Sequence, residues 1–152
     1  NGWTICSRAG TLLTVEDELR ELRAVVEPDH GDPAEAGAAS AADADRAART
    51  VANSPLVKTA IYGKDANWGR IAAALGRSGA TFTQEAVDID IMGMPVCRSG
   101  LAIPFDEEEA LRRFERPEIV LDINLGAGHS STTLWTCDFS HDYVTINGDY
   151  RT

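Results

Sequence analysis

The chain has 152 residues, the length of one domain, and its 43% hydrophobic residues, with three Trp, three Tyr and four Phe, are enough for a substantial core. Fourteen Lys and Arg against 24 Asp and Glu leave a net charge of -10, which argues against nucleic acid or an anionic membrane as partner, since both need a basic face. No run of about 18 apolar residues and no signal-peptide pattern occurs, so a soluble, cytoplasmic protein is expected.

The first expected element is a helix. Thr14 can cap it, Asp17 stands three residues on, and Val15, Leu19, Leu22 and Val26 recur at helical spacing. "PDHGDPAEAG" then breaks the chain with two prolines and two glycines and reads as a linker, the one internal boundary, near residues 28 to 38. An Ala-rich helix follows over Ala41–Asn53. "SPLVKTAIYG" is apolar and partly β-branched and reads as a strand or extended segment. "NWGRIAAALGRSG" reads as a helix that Asp65 or Asn67 can cap, with Ile71, Ala74 and Leu75 facing inward.

The second half is mostly strand. Val87, Ile89 and Ile91 alternate with Asp88 and Asp90, the pattern of a half-buried antiparallel strand whose two acids face solvent. "MPVCRSGLAI" beyond Gly93 reads as its hairpin partner or an edge strand. "FDEEEALRRFER" is a short helix with acids first and bases last, as its dipole favours. "EIVLDINLG" alternates again, "GAGHSS" reads as a hairpin loop, and "TTLWTCDF" as the return strand. The last residues, "SHDYVTINGDYRT", are expected to run extended. Helices ahead of a paired sheet suggest an α+β fold with helices layered on a mostly antiparallel sheet.

Two stretches could carry chemistry. "GKDANWGR", residues 63 to 70, leads into a helix N-terminus, whose free N–H groups can receive an anion or carboxylate. Lys58, Lys64 and Arg70 could add charge there. The alternative is that Asp65 and Asn67 only cap the helix, and spacing alone favours that. Neither a Walker loop nor a dinucleotide fingerprint is present. The terminal "NGDYRT" offers an Asn amide, a Thr hydroxyl and a carboxylate, groups that suit an amino-acid-like ligand, although termini also fray. Cys6, Cys97 and Cys137 form no CxxC pair and, with His30, His129 and His141, no zinc spacing. They read as reduced thiols, two of them in strands, and no metal is expected.

"NSPLVKTAIYGKDANWGR" (53 to 70) with "WTCDFSHDYVTINGDYRT" (135 to 152) closely resembles the ornithine acetyltransferase family, the bifunctional glutamate N-acetyltransferases of arginine biosynthesis. The resemblance runs from about Ala38 to the end. It implies part of a self-processing, N-terminal-nucleophile-like acetyltransferase, in which a Thr freed by self-cleavage passes an acetyl group from N-acetylornithine to glutamate. An α chain of the same precursor is implied as partner, in an α₂β₂ assembly. No cofactor is implied, and acceptance of acetyl-CoA as a co-substrate separates the bifunctional form from the recycling one. The family's substrate-binding Asn and its later Thr or Ser fall on Asn147 and Thr152. Lys58, Asp65, Asn67 and Arg70 fall in a segment that borders the active site, as supports. No catalytic residue is carried over, because the cleavage motif with its Thr and the oxyanion Thr-Gly pair have no match here. Residues 1–37 do not match the family, and the expectation is a C-terminal portion preceded by divergent or frame-shifted sequence. The alternative is a non-catalytic remnant that binds a complete family member or another protein.

Overall fold

A computed structural model of the chain describes residues 21–26 and 37–149. Strand β1 (Glu21–Val26) comes first, followed by helices α1 (Ala41–Ala52), α2 (Pro55–Tyr62) and α3 (Trp68–Gly76). Then come β2 (Asp88–Ile91), β3 (Met94–Arg98), β4 (Leu101–Ala102), helix α4 (Glu107–Arg113), β5 (Glu118–Asn124), β6 (Thr132–Cys137) and helix α5 (His141–Asp149). The strands form one sheet in the order β4-β3-β2-β5-β1-β6. Every pairing is antiparallel except that of β1 with β5.

The α+β layering follows from the strand alternation. Ile119, Leu121 and Ile123 of β5 stand on one face, and Ile89 and Ile91 of β2 lie opposite Ile123 and Leu121 in register. All five are buried. Ala24 of β1 pairs with Leu121 and continues this face. Helix α1 lies across β1 and β6, α3 packs beside α1, and α2 beside both. Their inward residues, among them Ala44, Ala47, Val51, Val57, Ile61, Ile71 and Leu75, complete the core. The opposite face carries Asp88, Asp90, Asp122 and Asn124, all half-buried. Asp90 is paired with Arg98, and Asp88 accepts the Ser99 N–H at 2.8 Å.

Four expectations change. Residues 21–26, expected as the end of a helix, form β1, with hydrogen-bonding partners on both sides in a slot between β5 and β6. Satisfying both backbone edges outweighs a marginal helical periodicity. The rest of the expected helix, from Thr14 to Arg20, lies outside the described residues. "SPLVKTAIY" is a helix and not a strand: the Ser54 hydroxyl accepts the Val57 N–H, and Pro55 occupies the first turn, where a missing N–H costs nothing. "HDYVTINGD" is helical where extended chain was expected, because Ser140 Oγ accepts the Tyr143 N–H at 3.0 Å and caps the turn. Finally, "GAGHSS" is no hairpin loop. It links β5 and β6, which β1 separates.

Candidate functional site

The turn from α2 to α3 is built from "GKDANWGR". Lys64 adopts a positive φ of 55°, and the Asp65 N–H reaches back to the Ala60 carbonyl at 2.9 Å. Asn67 Oδ1 accepts the Arg70 N–H at 3.1 Å and caps α3, while its Nδ2 donates to Asp65 at 3.0 Å. Arg70 Nη1 donates to the Leu56 carbonyl at 2.9 Å and to Thr59 Oγ1 at 3.3 Å, which ties α3 to α2. Lys64 is paired with Glu115, two residues beyond the end of α4. Among these groups Asp65, Asn67 and Arg70 are thus joined at one corner, and each makes a contact that shapes the corner itself.

Lys58 stands apart from them. It is buried, 7% exposed, on the inner side of α2. Its ammonium lies over the ring of Phe139, 4.6 Å from the centroid. Phe139 lies between the buried Asp138 and Ser140 where β6 gives way to α5. Its ring stacks on Tyr143 with centroids 4.5 Å apart and planes 10° from parallel. One turn further, Asn147 Nδ2 donates to the Tyr143 carbonyl at 2.7 Å. The His141 ring meets Tyr62, the last residue of α2, edge to face at 5.5 Å. Lys58 and Asn147, far apart in sequence, therefore belong to one connected group. Thr152 lies outside the described residues.

Phe139, Ser140, Tyr143 and the Tyr62–His141 pair were not singled out from the sequence. The usable signal was the four-residue spacing of Phe139 and Tyr143 on either side of a capping Ser140, which places two rings on one side of a helix start. Asn147 keeps its carbonyl oxygen as an acceptor, and every residue of α5 is exposed. Chemically, this end offers an amide donor and acceptor on α5, linked to the buried Lys58 cation through the Phe139–Tyr143 stack.

A helical layer on a mostly antiparallel sheet, with helix α5 pinned to it by aromatic rings, defines an α+β protein. The chain belongs to the ArgJ family, whose model matches residues 35–152. The arginine biosynthesis bifunctional protein ArgJ of Chlorobaculum tepidum is 52% identical over 115 residues, 76% of this chain and 28% of that protein. Its namesake from Symbiobacterium thermophilum is 48% identical over 116 residues, 76% of this chain and 29% of its own length. The crystal structure of arginine biosynthesis bifunctional protein argJ from Bacillus halodurans superimposes with a TM-score of 0.77 at 36% identity, over 86% of this chain and 58% of that one. The chain thus spans under a third of the length of these two curated relatives. The resemblance read from residues 53–70 and 135–152 lies within the family match.

Proposed function

We propose that this chain is the C-terminal portion of an acetyltransferase that moves an acetyl group from N-acetylornithine to glutamate in arginine biosynthesis. The observation that carries this reading is the family match, which spans both motifs and reaches residue 152. The acyl-enzyme forms on a Thr that this chain does not carry. Attack of that hydroxyl on the acetamide makes an ester, breaks the C–N bond and releases ornithine with the proton on its amine. The amine of glutamate then attacks the ester and returns the Thr hydroxyl.

In this scheme the chain supplies recognition and not the attacking group. Asn147 has used one amide hydrogen on the Tyr143 carbonyl, which leaves Oδ1 to accept from a substrate ammonium. Thr152 supplies a hydroxyl to the same amino acid. Lys58, Asp65, Asn67 and Arg70 hold the α2–α3 corner and the root of α5 that border the pocket. The partner is the family's α chain, in an α₂β₂ assembly, and the compartment is the cytoplasm.

Acetyl transfer from N-acetylornithine to glutamate by the purified chain is expected to be absent, and to appear when a polypeptide with the α chain and the Thr segment is supplied. Turnover by this chain alone would overturn the scheme. In the reconstituted enzyme Asn147→Ala should raise KM by about tenfold, the effect of losing a hydrogen bond to a charged group. A second reading, a non-catalytic remnant that binds a complete family member, draws on residues 1–34, which fall outside the family match. It requires co-purification with that member and no gain of turnover on mixing.

A further inference from the structure

Helix α5 has nine residues and buries none of them. A helix so short is marginal in water unless something outside it holds its ends. Its hold on the body is concentrated at its first turn: the Ser140 cap, the Tyr62–His141 ring pair and the Phe139–Tyr143 stack. Phe139 in turn is held by Lys58 at two points. Its N–H donates to the Lys58 carbonyl at 3.4 Å, and the Lys58 ammonium sits over its ring.

A buried ammonium is costly to place, and an aromatic face is one of the few surroundings besides an anion that recovers part of that cost. An apolar side chain would fill the same slot under Phe139 more cheaply. A cation there does something that bulk alone does not: it prefers the ring's face and so fixes the tilt of Phe139. The parallel Tyr143 ring inherits that tilt, and the Tyr143 carbonyl is the anchor of the Asn147 amide.

We propose that Lys58 is a positioning residue for Asn147, acting through the Phe139–Tyr143 stack that fixes the root of α5. The contact path runs from α2 to the substrate-binding amide without passing through the core. Its functional meaning rests on the reading of Asn147 given above, while the path itself does not.

Amide-exchange and NMR measurements on the full chain test the path. Lys58→Met keeps length and apolar bulk and removes the charge. Amides of residues 143–147 should then exchange about tenfold faster, the size expected for loss of a desolvated cation–π contact. The Asn147 side-chain amide signals should move towards their solvent-exposed positions. Lys58→Arg, which can lay its guanidinium on the ring, should restore both. Phe139→Leu should reproduce the loosening, and Lys58→Met added to it should loosen α5 no further. Unchanged Asn147 signals in Lys58→Met, equal loosening of α5 and the sheet, or additive effects of the two substitutions would each overturn the proposal. Should Lys58→Met fail to fold, Phe139→Leu against Lys58→Arg still decides it. Kinetics of Asn147→Ala in the reconstituted enzyme fail or succeed independently of these spectra.

Discussion

Asp43 is the most heavily engaged carboxylate of the helical layer. It accepts from Arg46 at 2.5 Å, from the Ser40 hydroxyl at 2.9 Å and from the Thr81 N–H at 3.3 Å. The Arg46 guanidinium first, and the Ser40 hydroxyl second, hold it below the usual carboxylate range, while burial acts the other way. A carboxyl whose folded value is depressed adds stability above its unfolded value of about 4, and that contribution fades as pH falls through the lowered one. Urea unfolding followed from neutral to acid pH should therefore show a loss below about pH 4 that Asp43→Asn reduces, the remainder coming from Asp45 and Glu109, which are lowered too. The same loss in Asp43→Asn would place its origin elsewhere. The Ser40 and Arg46 contacts are local to the Ala-rich run, where Asp43 is one of two acids, but the third could not be read from the sequence: Thr81 comes to it from 38 residues away.

The loop from β5 to β6 shows what element-level reading misses. Its glycines suggested a tight hairpin, but the return strand is displaced by one position and the loop must cross residues 37 and 38. The Ala38 N–H and carbonyl bond Ser130, the Ala127 N–H donates to Gly37, and Asn124 Oδ1 accepts from the N–H groups of Gly37 and Gly126. A Cβ on Gly128 would come within 2.6 Å of the Ala38 carbonyl. Gly128→Ala should cost about 1–3 kcal/mol in chemical denaturation, as overpacking against backbone does. Gly76→Ala meets nothing within 4 Å and serves as the control. Helices fared better where capping signals were local. Asn67 caps α3 and Asp106 caps α4 through side chains three residues from the N–H groups they satisfy. The Ser54-Pro55 start of α2 is just as local a signal, and it prevails over the β-branched content of that segment.

Across the whole molecule, the sheet's two flanks differ. Cys97 lies on β3, fully buried, and burial before any other cause raises its thiol. Cys137 ends β6 at the sheet's edge and is half-buried. Native-state labelling with a thiol reagent should modify Cys137 well before Cys97, and Cys97 only at the rate of global unfolding. Comparable rates, followed by peptide mapping, would mean that the β2–β3 flank opens locally.

Strand alternation in β2 and β5, the caps of α1, α3 and α4, and the motifs at 53–70 and 135–152 were determined by the sequence itself. Period and capping are encoded within a few residues, and family resemblance within a few more. The place of β1 between β5 and β6, and the grip of Lys58 on Phe139, were decided by the tertiary structure alone. Both depend on groups remote in the chain, brought together because buried backbone edges and a buried cation must each find a partner.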